Sequence, residues 1–215
     1  MAVKNIFFDF DGVLAESVHI KTEAFRTMYL KYGKDFAQRV VDYHVDNGGI
    51  SRFEKFKIWN GDWLEEVVSD ERISELATQF SDLVMKGVIE AEEVTGARDF
   101  LENASDYKKY IITGTPTSEI RPILKGRNMS HYFEGAFGSP EKKSYWVEKI
   151  LKENYLRPDE SVFIGDALAD YKAALDNNLT FILRETQDGI PLFKDFNGIR
   201  IKDLTELESV LKSIK

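Results

Sequence analysis

Asp9 and Asp11 stand one residue apart in "NIFFDFDGVLAES" (5–17), directly after an apolar run and directly before Gly12. A buried strand gains nothing from unpaired carboxylates, so the pair reads as chemistry placed at a strand end. Two more aspartates, Asp166 and Asp170, close a second apolar run in "SVFIGDALAD" (161–170). Thr113 and Gly114 end a third, "KYIITG" (109–114), and offer a hydroxyl and backbone N–H groups of the kind that phosphate oxygens accept from. Lys142 and Lys143 open the helical stretch before the Asp166 strand. Four carboxylates brought together repel one another unless a cation joins them. All are hard oxygen donors with no imidazole or thiolate nearby in the sequence, so Mg²⁺ is the expected ion and a lysine the second positive charge. Singly these groups are commonplace, because an Asp at a strand end is usually a turn residue or a helix cap. Their order carries the reading, each following its own strand.

The elements that must position them are legible as alternation. The runs at 3–10, 109–114, 161–166 and 179–184 are nearly continuously apolar, as strands covered on both faces are. Between them lie helical patterns. One spans 139–154, with Ser139 as N-cap, Pro140 at the first position and Val147, Ile150 and Leu151 on one face; another spans 167–178. The alternation predicts an α/β fold, a doubly wound, Rossmann-like parallel sheet that gathers ligands at the carboxyl ends of its strands.

From about residue 16 to 93 the rhythm breaks, with no convincing strand and several helical patterns. One (16–33) stops at Gly33, and another (51–59) opens with Ser51 and Glu54 spaced as a capping box. A third (70–87) spaces Ile73, Leu76, Phe80, Leu83 and Val84 as one stripe, read as bundle core. The expected organisation is a core domain from 1–15 and 94–215, with a helical domain of 16–93 inserted after the first strand. Within the insertion, "HVDNGGISRFEK" (44–55) is a candidate ligand-contacting loop. Gly48 and Gly49 permit a tight turn and close approach to a ligand, and Arg52 is the candidate substrate-binding residue, suited to a second anionic or hydroxyl-rich end. His19 and His44 read as structural or surface residues.

Composition sets outer bounds. With 215 residues and 43% hydrophobic side chains the chain can bury a sizeable core, and without cysteine it has neither disulfides nor thiolate chemistry. A formal charge of −8 argues against nucleic acid or an anionic membrane as the main partner. No signal peptide or membrane-spanning run is expected, and the natural expectation is a cytoplasmic monomer or weak homodimer.

The motifs together resemble those of the haloacid dehalogenase-like superfamily of phosphohydrolases. "DFDGVL" is similar to the family's first motif, Thr113 in "ITGT" to its strand-ending threonine, and Asp166 to Asp170 to its GDxxxD. "HYFEGAFGSP" (131–140) resembles the segment before the lysine in phosphoglycolate phosphatase-like members, where the lysine lies three residues past the proline; that selects Lys143, with Lys142 as the alternative. The helical insertion resembles the mobile cap of that subfamily. The resemblance implies that Asp9 is a nucleophile forming an aspartyl-phosphate, and that Asp11 is the general acid and then the base. It implies that Asp9, the carbonyl of Asp11 and Asp166 hold Mg²⁺, with Asp170 in the outer shell or on a bound water, while Thr113 and the lysine receive the phosphoryl oxygens. Asp11 favours a phosphomonoesterase over the family's dehalogenases, phosphonate-cleaving members and ion pumps. A sugar phosphomutase is the nearest rival. A non-catalytic phosphate-binding regulator and a two-component receiver domain are the rivals from other classes; the first is expected to have lost some of these residues, and the second has no helical cap.

Overall fold

In a computed structural model, which describes residues 2–187 and 189–214, the first apolar run becomes β1 (Asn5–Phe8). Asn5 pairs with Lys108 of β2 (Lys108–Pro116) on one side and with Ser161 of β4 (Ser161–Gly165) on the other. Those pairings put β1 inside a parallel sheet of order β3-β2-β1-β4-β5-β6, with β3 (Gly135–Ser139), β5 (Thr180–Arg184) and β6 (Ile199–Ile201).

All four residues of β1 are buried because both sheet faces are covered. Phe7 stacks on Tyr110 (5.4 Å) and Phe163 (6.5 Å) under α7 (Lys143–Glu153) and α8 (Leu168–Asp176), which bury Val147, Ile150, Ala173 and Ala174 there. Ile6 and Phe8 face the other way, toward α5 (Ala97–Asn103), α6 (Thr117–Gly126) and α9 (Leu207–Ser213). Each such side chain, fully buried, contributes roughly 1.5–3 kcal/mol relative to exposure, before chain entropy is subtracted.

Between β1 and α5 lie α1 (Val18–Tyr29), α2 (Lys34–Asp46), α3 (Arg52–Phe56), a π-helical turn (Lys57–Trp63) and α4 (Asp70–Glu90). Their aromatic residues interlock. Phe25 stacks on Phe80 at 4.1 Å and meets Trp59 edge-on at 4.9 Å, a preferred aromatic geometry. The apolar cluster that includes Ile6 and Phe8 also includes these rings.

Several expectations need correction. β3 and β6 lack a sequence signal, since "GAFGS" is broken by glycines and "IRI" is three residues long. The helix expected from Ser139 begins at Lys143; Ser139 instead ends β3, and its hydroxyl donates to the Gly114 carbonyl at 3.0 Å. β2 runs past Thr113 to Pro116, with a register shift against β3 after Ile112. On α4 the buried stripe is Ile73, Leu76, Ala77, Phe80, Val84 and Val88, while Leu83 is 49% exposed. Ser51 caps α3 by accepting from the Phe53 N–H at 3.3 Å, and Glu54 is exposed. Among the described residues no helix is long and apolar enough to cross a membrane.

Candidate active site

Asp9 follows the last residue of β1, and its own N–H still donates to Ile164 of β4 at 2.9 Å, so the sheet fixes its position. The carboxylate accepts from the Phe10 N–H at 2.7 Å. Two residues on, Gly12 has φ 76°, and a Cβ there would overlap the Asp166 carboxylate. Only glycine meets both demands, which answers why it follows the two aspartates at once.

Lys143, the first residue of α7, places its Nζ 2.8 Å from Asp9 Oδ2 and 2.6 Å from Asp170 Oδ1. Lys142 is exposed, so the geometry selects Lys143 from the pair. Asp170 sits in the first turn of α8, where its other oxygen accepts from the Ala167 N–H at 3.1 Å. Asp9, Asp166 and Asp170 each offer an oxygen within 4.8 Å of the others. Burial opposes the charge of Lys143, but the carboxylates of Asp170 and Asp9 outweigh it and hold the ammonium above its ordinary range. Asp166 goes the other way: burial, then the charges of Asp9 and Asp170, push it well above the usual carboxylate range. Asp170 is pushed up to about 7, by burial first and by Asp9, against the opposing pull of Lys143. One lysine does not neutralise three carboxylates. The uncompensated charge and the all-oxygen donor set fit a hard divalent cation.

Asp11 is held differently. Its carboxylate accepts from Ser17 Oγ at 2.6 Å, from Thr115 Oγ1 at 3.1 Å and from Lys21 Nζ, which also reaches Thr115 at 2.7 Å. Burial raises its pKa, yet the charge of Lys21 and these hydrogen bonds leave it below the ordinary value. Asp11 is therefore ionised here. Thr113 is buried, and its hydroxyl accepts from the Thr115 N–H at 3.1 Å.

Asp9, Asp11, Thr113 and Asp166 line a cavity of about 450 Å³ together with residues of the helices, among them Phe25, His44, Arg52, Lys55 and Phe80. The loop at Gly48 and Gly49 lies directly on the strand ends. A Cβ on Gly49, where φ is 75°, would stand 3.3 Å from Lys143 Nζ, and one on Gly114 would stand 2.9 Å from the Gly49 carbonyl oxygen. Arg52 is 4% exposed and lines the cavity, but its guanidinium is already engaged. It pairs with both oxygens of Glu119 on α6 (3.1 and 2.8 Å) and with Ser81 on α4 (2.8 Å). Arg52, the candidate substrate-binding residue, therefore lines the cavity while its guanidinium forms an ion pair that ties α3 to α6.

The comparisons with known proteins agree with this geometry. The family model described as haloacid dehalogenase-like hydrolase matches residues 6–183. The chain belongs to that family. It is similar to a phosphoglycolate phosphatase from Pseudomonas syringae pv. tomato, 27% identical over 183 residues, which are 80% of this chain and 65% of the relative. The chain thus spans just under two thirds of the length of that curated relative. Two solved structures share the fold. A haloacid dehalogenase-like family hydrolase from Streptococcus pneumoniae is 23% identical with a TM-score of 0.70, covering 97% of this chain and 98% of that one. A beta-phosphoglucomutase from Clostridium difficile is 17% identical with a TM-score of 0.75, covering 97% and 95%.

Lys21, Lys55, Glu119 and Thr115 escaped the sequence reading. Lys21 and Lys55 sit in helical stretches rich in charge, where a lysine ordinarily faces water. Glu119 becomes a partner only when α6 meets α3. Thr115, in "TGTPT" beside Thr113, was the one with a local signal.

Proposed function

We propose that the protein is a phosphomonoesterase acting on a small phosphorylated metabolite, a sugar phosphate or a phospho-acid such as phosphoglycolate. The observation that carries this reading is the Lys143 ammonium bridging Asp9 and Asp170 at the strand ends, with Asp166 beside them. Asp9 is the nucleophile. One of its oxygens attacks phosphorus in line, the ester P–O bond breaks, and the phosphoryl group is left on the carboxylate. Lys143, the Thr113 hydroxyl and the backbone N–H of Gly114 would receive the phosphoryl oxygens as charge builds on them.

Asp11 moves the protons. It gives one to the departing alkoxide, then takes one from the water that cleaves the aspartyl-phosphate, so that alcohol and inorganic phosphate leave and Asp11 ends as it began. Its Lys21 and Ser17 contacts favour the ionised form needed for the second step, so the first step calls for Asp11 to exchange Lys21 for a proton. Asp9, Asp166 and the main-chain carbonyl of Asp11 would hold Mg²⁺, with Asp170 anchoring Lys143 behind them. Bound there, the ion supplies charge neutralisation for the transferring group. The helices of residues 16–93, as a cap over the strand ends, would choose the leaving group.

Purified protein is expected to release phosphate from small phosphomonoesters with Mg²⁺ present, and to lose that activity on chelation and in Asp9→Asn. Equal turnover after thorough chelation would overturn the metal requirement. Conversion of a sugar 1-phosphate into its 6-phosphate without phosphate release would replace the phosphatase with a phosphomutase.

A further inference from the structure

Among the described residues, the lysines and arginines that line or adjoin the cavity are matched with acids, apart from the exposed Lys202 and one buried exception. Lys21 has Asp11, Lys143 has Asp9 and Asp170, Arg52 has Glu119 and Arg184 has Glu16. Lys55, on α3, is only 1% exposed, and among the described residues no carboxylate lies within 4.0 Å of its Nζ. Among the described residues its one side-chain hydrogen bond is to His44 Nδ1 on α2, at 2.7 Å, and the Phe25 ring lies 5.9 Å away. An ammonium taken out of water without a counter-charge costs several kcal/mol as an order of magnitude, so packing alone is a poor reason to keep one. Burial, with the charges of Lys21 and Lys143, pushes Lys55 down to about 7. Burial and the charges of Lys55 and Lys21 push His44 well below its ordinary value. With the Lys55 ammonium donating to Nδ1, a neutral His44 would carry its proton on Nε2, a second donor beside the lysine.

Lys55 and His44 line the same cavity as Asp9, Asp11 and Thr113. We infer that they form an anion subsite in the helical wall, which takes a carboxylate or a second phosphate carried by the leaving group of the substrate. The inference rests on the phosphatase reading of Asp9 and names its substrate class: esters with two anionic ends. Arg52, spent on Glu119, braces α3 rather than reading the ligand.

The test is binding in an Asp9→Asn background with Mg²⁺, by calorimetry, using phosphoglycolate, glucose 1,6-bisphosphate and phenyl phosphate. Before further change, at least one of the two-ended anions should bind more tightly than phenyl phosphate. Lys55→Met should cut that preference by about ten- to a hundred-fold, the loss expected of a charge-assisted hydrogen bond. A loss confined to phosphoglycolate identifies a carboxylate subsite, and one confined to the bisphosphate a phosphate subsite. An unchanged preference overturns the proposal. Methionine matches lysine in length, and melting curves report folding. His44→Phe, which leaves the ammonium without its partner, should also lower the preference and carries the test if Lys55→Met does not fold. Turnover by the wild type with a preference indifferent to Lys55 sinks the subsite alone. Two-ended binding without any phosphate release by the wild type sinks the phosphatase alone.

Discussion

Two lysines, Lys143 beside Asp9 at the strand ends and Lys55 in the helical wall of the cavity, are almost equally buried at 6% and 1% exposure. Their charges are nevertheless treated in opposite ways. Lys143 lies between Asp9 and Asp170 and is held above its ordinary range, whereas Lys55 has, among the described residues, a histidine and no carboxylate, and is pushed down to about 7. Depth is the same, so the neighbours decide: burial always opposes the charge, and only carboxylates reverse the outcome. The strand-end cluster assembles its lysine from the molecule's own acids. The helical wall leaves its lysine for a charge that must come from outside.

Breaking the first half of the comparison should have the larger effect. Lys143→Met leaves Asp9 and Asp170 without their cation, and removing one partner of a buried pair costs about 3–5 kcal/mol of stability. Turnover should fall by at least about 10²–10³-fold, since a donor to the developing charge is lost with it. Added Mg²⁺ should restore part of the lost melting temperature but not the rate. Lys142→Met, on the exposed neighbour, is the control. Equal behaviour of the two variants would mean that the lysine does not organise the cluster.

The second half should show the opposite sign. The ordinary lysine value is 10.5, and Lys55 sits near 7 when folded, so between these values the unfolded chain binds more protons than the folded one. Stability from this group therefore rises with pH across that window, and its penalty is complete below about pH 7. His44, neutral over this range, does not compensate, while Lys21 and Lys143 add to the penalty. Lys55→Met should melt higher than the wild type near pH 6, with the advantage shrinking toward pH 10. A difference independent of pH would mean that Lys55 carries no buried charge.

The same contrast explains what could be read from sequence. Asp9, Asp11, Thr113 and Asp166 were legible because each follows an apolar run, and a parallel sheet brings its strand ends together without further information. Lys143 needed the family resemblance, and the structure shows why: with Lys142 exposed beside it, only the actual start of α7 decides which side chain turns inward. Lys55 and Glu119 were hidden because helix–helix packing assigns their partners. Burial of Lys55 depends on how α3 meets α2, and the capture of Arg52 depends on how α3 meets α6. β3 and β6 were missed for a related reason, being short strands whose place is set by their neighbours.

The central claim is that Asp9 carries the phosphoryl group, and peptide mass spectrometry of acid-quenched enzyme tests it most directly. The sample should be taken during turnover of an aryl phosphate by Asp11→Asn, whose slowed water attack should let the intermediate build up. The good leaving group makes little demand on the missing acid. A phosphoryl group on the peptide bearing Asp9, absent when Asp9→Asn is added, is the expected result. Steady phosphate release with an unmodified Asp9 peptide, or full turnover by Asp9→Asn alone, would contradict the account.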